Sequence, residues 1–242
     1  MAAANVVVSD VRTTDGALIT LAVFRGSPRF VLHSGSQDPG SGALQLVEAG
    51  PAVSTSERRR LISAFNGGFK LSAGAGGYEQ EGHVVARLLP GLASLVIDRS
   101  GRADVGVWGS GLPRPGEAVW SVRQNLPPLV LDGQPSASAA NWQGWGATLG
   151  DREYVARSAL GEDASGHIVF AASMSATPQD LAAALADVHV RTGMELDINP
   201  EWVQLDVARV PGGPLTSALP GQWRPAGQYL LGWSRDFVTV LA

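Results

Sequence analysis

The sequence predicts an α+β fold in which a mostly antiparallel or mixed β-sheet packs against a few helices. Short Val-rich runs separated by turn residues recur along the chain, as expected for a fold with many strands. The 242 residues include 30 glycines and 15 prolines, which favour turns, whereas helix formers such as Lys and Glu are sparse. No linker of disordered composition and no clear repeat interrupts the chain, so we expect one domain over residues 1–242.

Turn residues divide the strand-like runs into hairpins. Residues 5–26 contain two predicted strands joined by Thr13-Thr14-Asp15-Gly16, which is a hairpin signature. The other predicted strands lie at residues 29–35, 95–97, 105–108, 128–131, 156–160 and 167–172.

Two segments carry the start signals of helices. Ser54 and Glu57 have the spacing of a capping box, and the helix predicted from them runs to about Ala64. The best helical pattern begins at Thr177-Pro178 and is predicted to close at Gly193. We expect this helix to pack on the sheet, with a strand over residues 194–198 directly after it.

Composition and charge exclude several classes of protein. A formal net charge of −4 argues against binding to nucleic-acid phosphates. The absence of cysteine excludes disulfides, thiolate chemistry and cysteine-based zinc sites. No apolar run approaches the roughly 20 residues of a transmembrane segment. The opening residues lack the basic and apolar regions of a signal peptide, so we expect Met1 to precede a trimmed mature domain.

Polar residues at alternate positions of "GMELDINPEW" mark the most informative stretch. In a strand, Glu195, Asp197 and Asn199 share one face, opposite an apolar face. One interpretation is an edge strand whose acids face water. Another is a catalytic pair, because glycosidic hydrolysis needs two carboxyl groups roughly 5 to 9.5 Å apart and strand geometry separates these two Cα atoms by about 7 Å. A third is a set of oxygen ligands for Ca²⁺ or Mg²⁺.

Three segments occur in an order that resembles a known family. They are "FNGGF" at 65–69, "RSALGEDASGHI" at 157–168 and "MELDINPEW" at 194–202. The chain from about residue 55 onward resembles the phosphodiester glycosidase domain, the family of the lysosomal uncovering enzyme, whose bacterial members are often labelled exopolysaccharide-related. The family continues Leu-Asp with Gly-Gly-Gly-Ser, whereas Asp197 is followed here by Ile-Asn-Pro-Glu-Trp. We expect that loop to shape the substrate pocket.

The resemblance implies a hydrolase with three catalytic residues, Asp197, Glu195 and Arg157. Asp197 and Glu195 would carry the acid/base work, and Arg157 would hold a phosphate in bidentate fashion. The alternative for Arg157 is a surface ion pair with Glu153 or Asp163. The Asn66-Gly67-Gly68 turn would bind the same phosphate through inward N–H groups, although a plain helix C-cap also explains these residues.

Further residues are expected to bind the substrate around this pair. Asn199 would align a hydroxyl or a water, and Gln124 and Asn125 would bind sugar hydroxyls unless they only close the turn before Pro127. His83 follows a Gly-rich segment that lacks the context of a dinucleotide loop, and the four histidines show no metal-ligand spacing. Trp202 offers an aromatic face, which suits either sugar stacking or simple packing.

The predicted function is hydrolysis of a sugar-1-phosphodiester or a related glycosidic bond in a cell-surface or envelope polysaccharide. The alternatives are a non-catalytic glycan-binding module and a metal-assisted phosphodiesterase. The partner is a carbohydrate or sugar-phosphate substrate rather than a nucleic acid. No cofactor is expected, apart from the divalent cation of the metal-assisted alternative. The resemblance places the protein outside the cell or in the cell envelope.

Overall fold

The computed structural model describes residues 2–3, 5–147 and 150–242. Its regular structure is mostly β. In chain order the strands of the described residues are β1 (Ala2–Ala3), β2 (Val6–Arg12), β3 (Leu18–Phe24), β4 (Arg29–His33), β5 (Leu61–Asn66), β6 (Tyr78–Gln80), β7 (His83–Ala86), β8 (Ala93–Asp98), β9 (Ala103–Trp108), β10 (Gly111–Leu112), β11 (Val119–Gln124), β12 (Val130–Leu131), β13 (Gln134–Pro135), β14 (Val155–Asp163), β15 (Ile168–Ala176), β16 (Val190–Glu195), β17 (Leu205–Ala208), β18 (Leu215–Ser217) and β19 (Phe237–Leu241).

The strands form three sheets, and the α+β prediction is confirmed. An eight-stranded sheet has the order β1-β2-β3-β15-β14-β16-β12-β13, a six-stranded sheet β10-β9-β8-β11-β6-β7, and a five-stranded sheet β18-β17-β5-β19-β4. Among the described residues every paired strand is antiparallel except the short pair β9–β10. The hairpins β2–β3, β8–β9 and β14–β15 are those that the turn residues predict.

Helices are few and short. They are α1 (Ser41–Leu44), α2 (Thr55–Arg58) and α3 (Pro178–Asp187), with 3₁₀ turns at Leu71–Ala73, Ala137–Ala140, Trp142–Gly144 and Gln228–Leu230. None of the helices in the described part of the chain has the length and apolar character that a membrane span requires.

Two predicted helix ends are wrong. The capping box at Ser54 and Glu57 is present, but α2 ends at Arg58, and the apolar run beyond it is the wholly buried strand β5. A short apolar run without alternation suits a central strand as well as a helix, and here it lies between β17 and β19. Likewise α3 ends at Asp187 rather than at Gly193, which lies inside β16 against Leu185 and Val130.

The main core lies where the three sheets meet. Phe65 of β5 stacks on Phe24 of β3, with ring centroids 5.7 Å apart, and lies 4.9 Å from Phe170 of β15. Helix α3 covers the other face of the eight-stranded sheet, where Leu181 and Leu185 are fully buried in a second apolar cluster. Both faces of β14 and β16 are therefore covered. A polar side chain on either strand is taken out of water, which is destabilising unless the side chain has a hydrogen-bonding partner.

Candidate active site

Pairing between β14 and β16 brings together two of the predicted site residues, Arg157 and Glu195. Ala159 lies opposite Glu195 in the register, and Arg157 is two positions away on the same face. The Nη1 atom of Arg157 donates to Oε1 of Glu195 over 2.7 Å, and neither side chain is exposed. Arg157 therefore forms a buried ion pair rather than the alternative surface pair with Glu153 or Asp163.

Asp197 lies two residues beyond Glu195 and has its own arginine. Its Oδ2 atom accepts from Nη1 of Arg235 over 2.6 Å, while Oδ1 accepts the backbone N–H groups of Ile198 and Asn199 at 2.8 and 2.9 Å. The carboxylate is 4% exposed. The interpretation of these acids as an edge strand facing water is therefore wrong, and β16 itself ends at Glu195.

A third buried pair joins Arg123 to Asp236, with Nε and Oδ2 2.7 Å apart. The predicted anion-binding turn packs on this pair. Gly67 donates its N–H to the Asp236 carbonyl over 2.9 Å, and Gly68 donates to Asp236 Oδ2 over 3.2 Å. The Gly67 N–H is thus bound to a backbone carbonyl and the Gly68 N–H to a carboxylate of the chain itself, which leaves both unavailable to a phosphate. The helix C-cap alternative is also wrong, because a strand precedes the turn.

Asn66 connects this turn to Asp197. Its Nδ2 atom donates to Oγ of Ser158 over 2.8 Å, and its Oδ1 accepts the N–H of Gln204 over 3.1 Å. Ser158 Oγ in turn accepts the N–H of Asp197 over 3.2 Å. Asn66 and Asp197, which are distant in the sequence, are thus linked through Ser158, the residue that follows Arg157 in β14.

Asn125 supports the backbone between the two acids. Its Nδ2 atom donates to the carbonyl oxygens of Glu195 and Leu196, at 2.6 and 2.9 Å. Trp202 is buried under Arg235, whose guanidinium carbon lies 4.8 Å from the ring centroid. Asn199 is half-buried and turns the following loop, because its Oδ1 accepts the N–H of Glu201 over 2.9 Å.

Two predicted substrate-binding residues do not join the site. All hydrogen-bonding groups of the Gln124 amide are committed to other parts of the chain, since Oε1 accepts from Gly77 and Leu89 and Nε2 donates to Leu89 and Ser94. His83 lies exposed at the start of β7, the outermost strand of the six-stranded sheet.

Sequence reasoning missed Arg235, Asp236 and Ser158, and gave Arg123 no role. A signal was present in "SRDFVTV", where two opposite charges stand directly before a strand that proves wholly buried. We call Arg123, Arg157, Glu195, Asp197, Arg235 and Asp236 the acid–arginine cluster.

Unpaired atoms mark this cluster. Among the described residues, the buried side-chain atoms without a hydrogen-bond partner are Asn125 Oδ1, Arg157 Nη2, Glu195 Oε2, Arg235 Nε and Asp236 Oδ1. All five belong to the cluster or to the asparagine that supports it. An unpaired buried polar atom is destabilising by roughly 1–3 kcal/mol. A bound molecule or water that forms hydrogen bonds with these atoms would remove that cost.

Burial dominates the titration of both acids. Complete burial raises the pKa of the Glu195 carboxyl to about 8, although the Arg157 guanidinium lowers it, and the charge of Asp197 raises it further. Burial also raises the pKa of Asp197, against the lowering effect of Arg235 and of the Asn199 N–H. A carboxyl group that stays protonated near neutral pH can donate a proton.

The donor set does not fit a divalent cation. Glu195 Oε1 and both oxygens of Asp197 are already bound to arginines or backbone N–H groups, and the positive guanidinium groups would repel a metal. In the part of the chain that the structure describes, no group of three or more His, Asp or Glu side chains forms a metal site.

The segment around Trp145 covers the cluster. The carbonyl oxygen of Trp145 accepts from Arg157 Nη1 over 3.0 Å. Gly146 packs so closely on Ile198 and Phe69 that a Cβ atom there would lie 2.6 and 2.8 Å from them. The "NWQGWG" segment therefore forms the wall of the site rather than a remote surface.

No protein-family model and no curated protein sequence matches this chain. Two solved structures share its fold. The first is the zebrafish N-acetylglucosamine-1-phosphodiester alpha-N-acetylglucosaminidase catalytic domain auto-inhibited by its pro-peptide, with a TM-score of 0.58 and 16% identity over 98% of this chain and 82% of that one. The second is a hypothetical protein from Synechocystis, with a TM-score of 0.55 and 12% identity over 97% of this chain and 61% of that one. At these identities the likeness shows the fold alone, which is related to that of the phosphodiester glycosidases.

Proposed function

We propose that this protein is a hydrolase of the glycosidase type, which cleaves a sugar-1-phosphodiester or a related glycosidic bond in a surface or envelope polysaccharide. The observation that carries the proposal is the set of buried, unpaired polar atoms on the acid–arginine cluster. The shared fold with a catalytic domain named for a sugar-1-phosphodiester supports the choice of substrate class. The whole chain, residues 1–242, acts as one such domain outside the cell or in its envelope.

Glu195 is the proton donor in this proposal. Its Oε1 atom accepts a hydrogen bond from Arg157, so the proton of the neutral carboxyl resides on Oε2, the oxygen without a partner. With a pKa of about 8, the group is mostly protonated at neutral pH. It can then protonate the leaving-group oxygen as the bond breaks.

Asp197 is the second carboxyl group that glycosidic hydrolysis requires. Arg235 and two backbone N–H groups fix its position, so it presents a defined negative charge to the reacting carbon or to an attacking water. Asn66 contributes through Ser158, which holds the backbone of Asp197. These residues position the carboxylate, and Asp197 itself acts on the substrate.

The anionic part of the substrate binds to unpaired guanidinium atoms. Arg157 Nη2 and Arg235 Nε are buried donors with no partner among the described residues. A phosphodiester oxygen would satisfy such a donor, and charge-assisted hydrogen bonds to phosphate are strong. We expect no cofactor in this reaction, and the chelator condition of the assay tests for a divalent cation.

The glycan-binding module remains a second candidate because of one surface. Trp233 is 44% exposed and Trp223 is 66% exposed, and Trp233 lies 5.2 Å from the Trp202 ring beside the site. Such rings suit sugar stacking without cleavage.

The two candidates are separated by an assay of product release. Wild-type protein, Glu195→Gln and Glu153→Gln are incubated with sugar-1-phosphodiesters and with plain glycosides, with and without a chelator, and free reducing sugar is measured. Glu153 is an exposed glutamate outside the acid–arginine cluster, and it serves as the matched control. We expect release from phosphodiesters by wild type and Glu153→Gln in either condition, and a loss of roughly 10² to 10⁴ in Glu195→Gln.

Wild-type protein that binds these sugars but releases nothing would favour the binding module. Activity that disappears with chelator would support the metal-assisted alternative. If neutral glycosides were cleaved as fast as sugar-1-phosphodiesters, the proposed role of Arg157 and Arg235 in binding an anion would be contradicted.

A further inference from the structure

A large groove lies at the end of β14 opposite Arg157. It has a volume of about 720 Å³ and is formed by the turn at residues 26–30, the turn at 100–104 and the hairpin loop at 163–167. A second cavity of about 530 Å³ adjoins it, since Arg114, Glu162 and Arg191 line both. We call the first cavity the arginine groove, because Arg29, Arg102, Arg114 and Arg191 line it. The proposed hydrolase function makes no use of it.

Two acids of the groove, Asp104 and Glu162, are already neutralised. Asp104 binds Arg102 at 2.9 Å and Arg114 at 2.7 Å. Glu162 binds Arg114 through Oε1 at 3.1 Å and the N–H of Val105 through Oε2 at 3.0 Å. These four side chains form a network that fixes the floor and leaves little acidic charge to repel an anion.

Two other arginines of the groove are uncommitted. Arg29 and Arg191 are exposed, and neither forms an ion pair with any described residue. The nearby carboxylate of Asp163 is bound to His167 Nδ1 at 3.0 Å. The groove therefore holds free positive charge in a chain whose net charge is −4.

We propose that the arginine groove binds an acidic oligosaccharide, with its carboxylate or phosphate group on Arg29 and Arg191. The volume lies within the range of roughly 300–1,000 Å³ that small ligands occupy. Ser27, Ser100 and Ser165 line the same cavity and supply hydroxyl groups that suit sugar hydroxyls. The adjoining cavity lets a sugar chain continue past Arg114, and the charged group belongs in the first cavity because Asp132 lines the second.

The test is isothermal titration calorimetry at low salt with three trisaccharides. Trigalacturonate supplies carboxylates, a phosphodiester-linked trisaccharide supplies phosphates, and maltotriose is the neutral control. The proteins are wild type, Arg29→Ala, Arg191→Ala, the double variant, Glu195→Gln and Arg59→Ala. Arg59 is an exposed arginine that lies outside both cavities and makes no ion pair with a described residue, so it is the matched control.

We expect wild type to bind at least one acidic trisaccharide and each single variant to bind about tenfold more weakly, as befits a charge-assisted hydrogen bond. In the double variant, trigalacturonate should not bind and the phosphodiester-linked trisaccharide should keep only the binding of the candidate active site, whereas Arg59→Ala and Glu195→Gln should match wild type. The better acidic ligand identifies the anion as carboxylate or phosphate.

Three results would overturn this assignment: equal binding by the double variant, an equal loss in Arg59→Ala, or equal affinity for maltotriose. Loss of binding in Glu195→Gln would place the ligand in the candidate active site instead. Failure of the hydrolase assay would leave the groove unaffected, since the groove is measured by binding.

Discussion

Arg157 Nη1 lies 2.7 Å from Glu195 Oε1, and both side chains are completely buried. The contact decides which oxygen of Glu195 is available, because Oε1 is committed and Oε2 has no partner. The contact favours the ionised form of Glu195, but complete burial outweighs it and raises the pKa of the carboxyl to about 8. When Glu195 is neutral, its unprotonated oxygen Oε1 can still accept the hydrogen bond from Arg157. Protonation of Glu195 therefore does not break this contact.

The pH dependence of activity should follow Glu195. Because burial raises its pKa to about 8, the proton donor is present below that pH and is lost as the pH rises through it. We expect kcat to fall on the alkaline side with an apparent pKa near 8, as measured by reducing-sugar release. Glu195→Gln should lack this alkaline limb, while the exposed Glu153→Gln should retain it. If Glu195→Gln showed the same decrease in kcat at alkaline pH, the decrease would have to come from another titrating group.

Asp197→Asn should keep the fold and lose activity. The shape is nearly unchanged, but the amide cannot supply the negative charge that Arg235 now positions over 2.6 Å. We expect kcat on a sugar-1-phosphodiester to drop by a factor of about 10² to 10⁴, with near-native circular dichroism. Wild-type turnover in this variant would leave Asp197 with a structural role only.

Gly67→Ala should destabilise the protein strongly. A Cβ atom at Gly67 would overlap with the carboxylate of Asp236, which is buried and bound to Arg123. We expect a loss of at least 2 kcal/mol in the free energy of unfolding, the magnitude typical of disrupted buried pairs. Gly42→Ala is the matched control, because nothing lies within 4 Å of a Cβ atom there. Similar urea midpoints for the two variants would contradict the packing argument.

Acid should weaken the contact between His33 and Glu57. Burial raises the pKa of Glu57, but the hydrogen bond and charge of His33 outweigh it and lower that pKa to about 2. A carboxyl with a lowered pKa stabilises the fold above its ordinary value near 4.5, and this contribution is lost as the pH falls towards 2. Melting temperatures between pH 6 and pH 2 should therefore fall less in Glu57→Gln than in wild type and Glu153→Gln. Parallel curves for all three proteins would contradict this.

The hairpins could be predicted because their information is local. Turn residues such as Asp98 and Gly101 terminate one strand and start the next, and the structure follows them. Strand β5 could not be told from a helix, since a strand buried on both faces loses the alternation that identifies it. The end of α3 failed for a related reason, because Gly193 serves close packing against Leu185 rather than a cap.

The candidate site was only partly predictable for a different reason. Glu195, Asp197 and Arg157 stand in recognisable segments, but their partners are chosen by tertiary structure. Arg235 reaches Asp197 from the segment directly before β19, and Asp236 occupies the N–H groups that the glycines of "FNGGF" were expected to offer a phosphate. Nothing in the local sequence states which charges will meet across sheets.

The acid–arginine cluster holds three guanidinium groups and three carboxyl groups, so its charge is balanced only when all three acids are ionised. While Glu195 keeps its proton, one positive charge is in excess, and an anion bound there restores neutrality. That anion would raise the pKa of Glu195 further, because like charges disfavour ionisation. Anion binding and proton binding are then thermodynamically linked, and each strengthens the other. Substrate association at pH 8 should therefore take up a fraction of a proton, which calorimetry in buffers of different ionisation enthalpy can count.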